Sequence, residues 1–530
     1  MTASPATSKR KLIGFGIVVL LVLSLPITGK AGMLAAFILG AALLGVPLFA
    51  IITGVTFLCF ILWADYPWQN VWVFFPAPEE RNDMRQFSVL MERIRSLADN
   101  PNLLAIPLFI MSGSVMSRGQ ISARLIDFAR ALVGWLPGGL AVSAVLACMF
   151  FAAISGSSPA TVVAIGAMMA PTMIEQGYSE RFSHGLVTSA GSLGILIPPS
   201  IPMILYPIVF QGAVINLETL FASGFGPGFV IGGILMAFSV VNGLRNKATR
   251  DPFSLARLKA AVTNGFWALL FPLLILGGIY SGVFIALEAA AVSVVYAIAV
   301  EVLIHRAIKL SDVPKVVQET GVFLGSLLVI MVAALAFSEF LEGEQIPRAA
   351  VEQIQALHLE PIMFLLIVNL LLLVVGMFMD ILSAMFIFVP LLAPIAISMG
   401  VDPIHFGIIF IVNLEIGYLT PPVGLNLFVS STLFNRPLGH IIRAVLPFIG
   451  LMMLGLVIIT YVPAISVGLG NWIMGNEPIA TPAPVPSPED GEGEPAPTPR
   501  PREGVQTLEE MMRESEGGSG PSGRVQTLEE

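Results

Sequence analysis

Long apolar runs, separated by short polar breaks, dominate the chain from Leu12 to about Ile473. A helix needs about 20 apolar residues to cross the hydrocarbon core of a bilayer. Many runs approach or exceed that length, and several are interrupted by Gly and Pro. They are 12–28, 33–63, 131–153, 225–241, 266–285, 289–304, 322–340, 361–379, 406–420 and 441–465. The pattern predicts an all-α polytopic membrane protein whose main solvent is the lipid bilayer.

The composition agrees with a membrane protein. Of the 530 residues, 56% are hydrophobic and 12% are charged, whereas an ordinary soluble domain has about 25% charged residues. The formal net charge is −8, and the segment from Glu477 onward, with four Arg and twelve Asp or Glu, accounts for all of it. The rest of the chain has no basic surplus, so nucleic acid is not expected as a partner. Cys59 and Cys148 stand alone in apolar runs and show no metal or redox spacing.

Polar segments divide the chain and indicate its orientation. Residues 1–30 are predicted to form an extra N-terminal anchor, because Lys9–Lys11 precede the first run and no A-x-A cleavage pattern follows it. Residues 31–100 hold the first core helices and a polar interfacial insertion. The positive-inside rule assigns the basic segment 245–259 to the cytoplasm. Residues 474–530, rich in Pro, Glu and Gly, are predicted to be a disordered acidic tail.

An internal repeat with a fixed offset of 223 residues runs through the apolar region. Ala170, Pro171, Gly177, Gly194, Leu196, Pro198 and Pro199 recur as Ala393, Pro394, Gly400, Gly417, Leu419, Pro421 and Pro422. The repeat predicts two related halves, 101–242 and 341–473, around central helices at 243–340. A Pro-Pro pair removes two helical N–H donors, which is tolerable only where the backbone is buried in protein or lines a cavity. Each copy is therefore predicted to be a broken or re-entrant helix.

Paired interruptions of this kind mark the binding site of many secondary transporters. Ser155–Ser158 and the following Pro159 are predicted to form a hairpin tip whose hydroxyls face a ligand or an ion. The alternative is a face of small residues on which helices pack. The 223-residue offset aligns Ser157 with Asp380.

Acidic residues inside apolar segments are costly and indicate function. Asp380 is a candidate cation ligand, and its alternative role is to cap the following half-helix. Glu415 precedes the second Pro-Pro pair and is a candidate for ion coupling. Glu288 is a weaker candidate, because it opens an apolar run and can act as a partner of the helix dipole. No Lys or Arg lies inside the predicted hairpins, which Arg181 and Arg436 only flank. The charge of an anionic substrate must then be met by helix termini, hydroxyls, bound cations or a flanking Arg, and coupled Na⁺ fits best.

Five stretches carry a family likeness: 131–140, 155–158, 196–202, 402–407 and 419–426. Together they resemble the large permease subunit, the DctM-like component, of tripartite ATP-independent periplasmic (TRAP) transporters. The first hairpin departs from the family pattern, since it reads Ser-Gly-Ser-Ser-Pro-Ala-Thr where many relatives resemble Ser-Gly-Ser-Ala-x-Ala-Asp. The likeness covers residues from about 33 to 470.

The resemblance implies two inverted repeats, each with a re-entrant helical hairpin, in an elevator-type importer of the bacterial cytoplasmic (inner) membrane. It also implies Na⁺ as coupling ion with no other cofactor, a small four-helix membrane subunit, and a periplasmic binding protein that delivers a carboxylate. Carried over by motif, the substrate and ion site comprises Ser155, Gly156, Ser157, Ser158, Pro198, Pro199, Asp380, Thr420, Pro421, Pro422 and Gly424. Na⁺ is expected near Ser157 and Asp380.

Other functions fit the sequence less well. A stand-alone Na⁺/dicarboxylate symporter would use the same repeat and is the main alternative. The histidines form no H-E-x-x-H motif and no protease pattern is present, so an intramembrane enzyme is not expected. A paired hairpin repeat also favours alternating access over a continuous pore.

Overall fold

The computed structural model describes residues 37, 40–41, 48–63, 95, 100–210, 215–246, 250–343, 345–356 and 359–475. The predicted N-terminal anchor, most of the polar insertion and nearly all of the acidic tail lie outside these residues. Within the described ranges every regular element is helical, which confirms the all-α prediction.

The described helices follow one another with short connections. They are α1 (Leu48–Trp63), α2 (Pro101–Arg118), α3 (Ile121–Val133), α4 (Gly139–Ser155), α5 (Ser158–Glu175), α6 (Glu180–Ser192), α7 (Ile201–Val209), α8 (Leu217–Arg245), α9 (Leu255–Asn264), α10 (Phe266–Tyr280), α11 (Ala286–Ile298), α12 (Val313–Gly343), α13 (Ile346–Ala356), α14 (Pro361–Phe378), α15 (Ile381–Ser398), α16 (Pro403–Gly417), α17 (Leu425–Leu433), α18 (Leu438–Tyr461) and α19 (Val467–Met474). A 3₁₀ turn at Leu193–Ile195 extends α6, and a π-helical segment at Ala299–Ile304 extends α11.

Six of the described helices are long and apolar enough to cross a membrane, or seven if the bent pair α9 and α10 forms one span. The axes of that pair differ by 67°. Helices α2, α4 and α16 are apolar but shorter. Length and composition therefore confirm a polytopic membrane protein.

The repeat seen in the sequence extends to whole helices. Helices α5 and α6 have their counterparts in α15 and α16, which begin 223 residues later in each case. The pairs α4/α14, α7/α17 and α8/α18 begin within two residues of the same offset. Both Pro-Pro pairs are cis peptides and lie in the breaks that follow α6 and α16. The predicted helix interruptions are thus present in both copies.

Close helix packing holds the repeats together. Large side chains from both halves are almost fully buried, among them Phe151, Tyr206 and Phe410. Helices α14 and α16 approach each other through glycine, because a Cβ built on Gly417 would lie 2.5 Å from the Cα of Gly376. Small residues at such crossings allow the backbones to touch. This packing places the end of α16 beside the second hairpin.

Candidate functional site

The first hairpin tip lies between α4, which ends at Ser155, and α5, which begins at Ser158. Gly156 turns the chain with φ of 56°, a left-handed conformation that favours glycine. A Cβ at Gly156 would also lie 2.6 Å from the carbonyl oxygen of Pro199. The tip therefore abuts the cis Pro-Pro loop of its own repeat.

Hydroxyl groups at this tip bond to one another and to backbone carbonyl oxygen. Ser155 Oγ and Thr161 Oγ1 are 3.0 Å apart, and Thr161 donates to the carbonyl oxygen of Ser157 at 2.9 Å. Ser157 is the N-cap residue of α5, but its side chain makes no capping hydrogen bond. The first-turn N–H groups of α5 consequently have no side-chain cap.

A cavity of about 210 Å³ opens beside the first tip. Its wall includes Ser155, Ser157, Ile110, Glu319, Thr320 and Phe323. Thr320 Oγ1 is buried and has no hydrogen-bond partner, whereas Glu319 forms an ion pair with Arg118. The cavity thus offers hydroxyl groups and an uncapped helix N-terminus to a small ligand.

The second hairpin tip lies between α14 and α15, and Asp380 is the N-cap residue of α15. Asp380 Oδ2 accepts a hydrogen bond from the Ser383 N–H at 3.0 Å, and Oδ1 accepts one from Ser383 Oγ at 2.6 Å. The capping alternative therefore describes the geometry of Asp380. Its role as a cation ligand stays a prediction.

The second tip also contacts the broken helix of its own repeat. The Ile381 N–H donates to the Tyr418 hydroxyl at 3.0 Å. The Val423 N–H donates to the Met377 carbonyl at 3.2 Å. The two bonds hold the cis Pro-Pro loop against the tip, so both repeats place a hairpin tip beside a broken helix.

Thr420 and Gly424 border this second loop. Thr420 Oγ1 donates to the carbonyl oxygen of Ile416 at 2.8 Å, which closes the last turn of α16. Gly424 has φ of 42° and leads into α17. Pro421 and Pro422 lie between them, so four of the predicted site residues form one continuous segment.

Two side-chain hydrogen bonds connect the repeats. Asn426 Nδ2 donates to Ser158 Oγ at 2.6 Å, and Ser192 Oγ donates to Glu415 Oε1 at 2.9 Å. All four residues are fully buried. Glu415 Oε2 and Asn426 Oδ1 have no hydrogen-bond partner. Buried acceptor oxygens therefore lie unpaired where the two repeats meet.

Not every predicted site residue joins the two tips. Glu288 lies in the first turn of α11, where its Oε2 accepts from the Ile285 N–H at 3.1 Å. This contact is the helix-dipole role predicted as its alternative. Among the described residues, no hydrogen bond joins Ser157 to Asp380, so a Na⁺ site shared by the two also stays a prediction.

Four residues at these contacts were not predicted from the sequence: Ser192, Thr320, Tyr418 and Asn426. Ser192 precedes Glu415 by 223 residues, the offset of the repeat. The repeat register could therefore have identified Ser192 as the counterpart of Glu415. The other three depend on how distant helices pack, and the pattern of apolar residues carries no signal for them.

Comparison with known sequences identifies relatives over most of the chain. The profile of the family described as the DctM component of tripartite ATP-independent periplasmic transporters matches residues 31–465. The chain is 46% identical over 390 residues to the C4-dicarboxylate TRAP transporter large permease protein DctM of Pseudomonas aeruginosa, covering 72% of this chain and 91% of that protein. It is 39% identical over 469 residues to the protein of the same description from Vibrio cholerae, covering 84% and 99%.

A solved structure shares the fold at low sequence identity. The crystal structure of the Alcanivorax borkumensis YdaH transporter matches with a TM-score of 0.54 and 15% identity, covering 75% of this chain and 90% of that one. At this identity the likeness concerns the fold alone. The family match, by contrast, includes both hairpin tips and both Pro-Pro breaks. The chain therefore belongs to the DctM family, the large permease components of tripartite ATP-independent periplasmic transporters.

Proposed function

We propose that this chain carries a small organic anion, a C4-dicarboxylate or another carboxylate, across the bacterial inner membrane, and that Na⁺ entry drives the uptake. The observation that carries the proposal is the difference between the two hairpin tips. Asp380 caps the helix that follows the second tip, whereas Ser157, its counterpart in the repeat, leaves the first without a side-chain cap beside a cavity.

A substrate carboxylate suits the first tip for a physical reason. The N-terminus of a helix carries partial positive charge and unpaired N–H groups, which together bind anions. At the second tip the protein's own carboxylate takes this place and accepts from the Ser383 N–H. At the first tip no side chain caps the helix, and Ser157 and Thr320 line the cavity beside it. The substrate is thus bound without Lys or Arg at the tip.

The acceptors between the repeats support Na⁺ as the coupling ion. Glu415 Oε2 and Asn426 Oδ1 are buried and unpaired, and burying such groups costs free energy unless a proton or a cation compensates them. Carboxylate, amide and backbone oxygens are the donors that hard cations prefer. Na⁺ bound at this interface would satisfy them and would couple its binding to the arrangement of the two repeats.

The family relationship supports the rest of the assembly. The Pseudomonas aeruginosa relative is named as a large permease of a TRAP transporter for C4-dicarboxylates. By this likeness we expect the chain to act as a permease rather than an enzyme. It would work with a small membrane subunit and a periplasmic binding protein, and the hairpin-bearing repeats would move as an elevator.

Reconstitution into proteoliposomes tests the proposal. With the small subunit and the binding protein present, radiolabelled succinate should accumulate under an inward Na⁺ gradient and not under a Na⁺-free proton gradient. Equal uptake under the two gradients would contradict Na⁺ coupling. Uptake that persists without the binding protein would instead support the stand-alone symporter.

A matched pair of threonine variants tests the first tip. Thr320→Val removes only the buried hydroxyl of a residue that lines the cavity, and should raise the KM for the substrate. Thr172→Val is the control, because the Thr172 hydroxyl is exposed and bonds within its own helix to Met168. An unchanged KM in Thr320→Val would remove this hydroxyl from the substrate site.

A further inference from the structure

A second cluster of polar side chains lies apart from the hairpin tips. Glu180 and His184 occupy the first two turns of α6, and His440 lies in the first turn of α18. One ligand atom from each residue lies within 4.8 Å of the other two. Because α6 belongs to the first repeat and α18 to the second, the cluster bridges the two halves of the molecule.

The imidazole nitrogens of this cluster lack partners. His184 is only 4% exposed, and its Nδ1 is buried with no hydrogen bond. His440 Nε2 is also buried and unpaired. A buried polar atom without a partner costs free energy, and a neutral imidazole nitrogen offers a lone pair to a metal ion. Two histidines of one cluster, each with a buried and unpaired ring nitrogen, point to a ligand.

Neighbouring side chains fix the orientation of the cluster. The His184 ring stacks on Phe434, with 4.3 Å between ring centroids and 10° between planes. The Arg436 side chain contacts Oε1 of Glu180. Arg436 restrains the carboxylate while Oε2 is left for another ligand. The arginine also places a positive charge near the cluster, which Glu180 compensates.

We propose that Glu180, His184 and His440 form a binding site for a divalent transition-metal ion, with Zn²⁺ as the ion that fits best. Two imidazoles and a carboxylate are ligands that Zn²⁺ takes in tetrahedral sites, with a fourth position left to water. Na⁺, Mg²⁺ and Ca²⁺ prefer oxygen ligands alone. The site is distinct from the proposed Na⁺ and substrate sites and does not depend on them.

Binding a metal ion would require the three ligand atoms to move slightly closer together. Zn–N and Zn–O distances of about 2.1 Å in a tetrahedron put the ligand atoms about 3.4 Å apart. The widest separation in the cluster, at most 4.8 Å, must then shorten by about 1.4 Å. His440 is half-buried in the first turn of α18, so a change of its side-chain torsions can supply this movement.

The position of the cluster indicates from which side the ion enters. Phe182, two residues before His184, packs on Phe238 of α8 at 6.2 Å between ring centroids. Helix α8 ends nearby at Arg245, where the basic segment assigned to the cytoplasm begins. On that predicted orientation, the partly exposed Glu180 and Arg436 would lie on the cytoplasmic side. Bound metal would link α6 to α18 and stabilise the folded chain.

Metal titration of the purified full-length chain tests this site. The protein is prepared with an affinity tag other than polyhistidine, stripped with a chelator, and titrated with Co²⁺ and then Zn²⁺ in detergent. We expect one equivalent of Co²⁺ to give the visible absorption of a tetrahedral nitrogen-ligated ion, and Zn²⁺ to displace it and raise the thermal midpoint. His184→Ala and His440→Ala should each weaken Zn²⁺ binding at least about tenfold.

The controls make the outcome decisive. His305→Gln removes a histidine whose Nδ1 already contacts Glu301 at 3.3 Å, and should leave the affinity for Zn²⁺ unchanged. If His184→Ala fails to fold, Glu180→Gln still tests the site, because it changes the carboxylate and leaves both imidazole rings in place. Binding of Zn²⁺ that is equal in wild type, His440→Ala and Glu180→Gln, or absent from the wild type, would overturn the proposal. Neither result would depend on transport activity.

Discussion

Ser192 donates a hydrogen bond to Oε1 of Glu415 at 2.9 Å, and the two residues are separated by 223 residues, the offset of the internal repeat. The bond therefore joins equivalent positions of two related helices. Each position lies just before the break in its helix, since α6 gives way to a 3₁₀ turn at Leu193 and α16 ends at Gly417. A single side-chain hydrogen bond thus connects the positions at which the two helices are broken.

The first prediction concerns the charge of Glu415. Glu415→Gln keeps the size of the side chain but removes the negative charge that a buried cation would balance. If Na⁺ binds at the repeat interface, the Na⁺ concentration for half-maximal uptake should rise at least about tenfold, which is about 1.4 kcal/mol of binding free energy. Uptake by proteoliposomes at graded Na⁺ concentrations measures it.

Two companion variants separate coupling from stability. Ser192→Ala removes the hydrogen bond but keeps the carboxylate, so its effect on half-saturation should be smaller. Glu288→Gln changes an acid that caps α11. If capping is its role, its Na⁺ dependence should equal that of the wild type, and a changed dependence would support the alternative that Glu288 takes part in coupling. If Glu415→Gln lowers the yield of folded protein while half-saturation by Na⁺ stays constant, Glu415 has a structural role and no part in coupling.

Asp380 can be tested with a pair of variants that separates capping from charge. Asn and Asp are equally good N-cap residues, so Asp380→Asn should keep the thermal midpoint, whereas Asp380→Ala should lose about 1 kcal/mol. If the carboxylate also binds Na⁺, Asp380→Asn should raise the half-saturating Na⁺ concentration although its stability is normal. Normal stability together with normal Na⁺ dependence would leave Asp380 as a cap alone.

Local backbone chemistry made part of this site predictable. The Pro-Pro pairs restrict the chain and remove helical N–H donors, and Gly156 permits a left-handed turn, so their positions predicted both breaks and the first tip. The bond from Asn426 to Ser158 spans 268 residues, and Thr320 reaches the cavity from α12. Contacts of this kind depend on the packing of remote helices, which the sequence of apolar and polar residues does not specify. Asp380 was predictable in part, because helix capping was one of the two roles predicted for it.

The hydrogen bond between Asn426 and Ser158 should contribute to stability. Ser158→Ala removes the partner of Asn426 Nδ2, while Asn426 Oδ1 is already unpaired. A buried amide with no hydrogen bond should cost about 1–3 kcal/mol of unfolding free energy. Thermal unfolding in detergent measures the loss.

A double-mutant cycle and a surface control make that prediction specific. Asn426→Leu removes the amide, so adding Ser158→Ala to it should cost less than Ser158→Ala does alone. Ser326→Ala removes an exposed hydroxyl that bonds locally to Phe323, and should change stability by less than about 0.5 kcal/mol. Strict additivity of Ser158→Ala and Asn426→Leu would show that the bond contributes nothing.

An ion pair in the loop before α9 predicts a dependence on pH. Arg130 donates to Asp251 at 2.7 Å and, by this hydrogen bond, holds the pKa of Asp251 below its ordinary value. A carboxylate whose pKa is lower in the folded state stabilises the protein above its unfolded pKa, about 3.9, and loses this contribution as pH falls through the folded pKa. Asp251→Asn should therefore be less stable than wild type at neutral pH. The gap in thermal midpoint should close in strong acid, and a gap that stays constant with pH would contradict the assignment.

The last prediction concerns a buried carboxylate that is not among the predicted site residues. Glu301 is fully buried and accepts from the Gln120 and Ile121 N–H groups, both at 3.0 Å, so it caps α3 from the π-helical segment after α11. A Cβ on Gly119 would lie 1.9 Å from the Glu301 carboxyl carbon. Gly119→Ala should push the carboxylate away from both N–H groups, and should cost about 1–3 kcal/mol because the buried Ile121 N–H loses its partner, whereas Gln120 is exposed to solvent.

Thermal unfolding of the same protein in detergent measures this loss, and a second glycine in an open place supplies the control. No atom lies within 4 Å of a Cβ built on Gly277, which is inside α10. Gly277→Ala should therefore be neutral or should stabilise by up to about 1 kcal/mol, since alanine favours the helix. Glu301→Gln keeps the shape of the side chain but exchanges an acceptor for a donor, so it should destabilise in the same direction as Gly119→Ala. Equal stability of Gly119→Ala and Gly277→Ala would show that the space beside Gly119 can relax and that Glu301 does not depend on it.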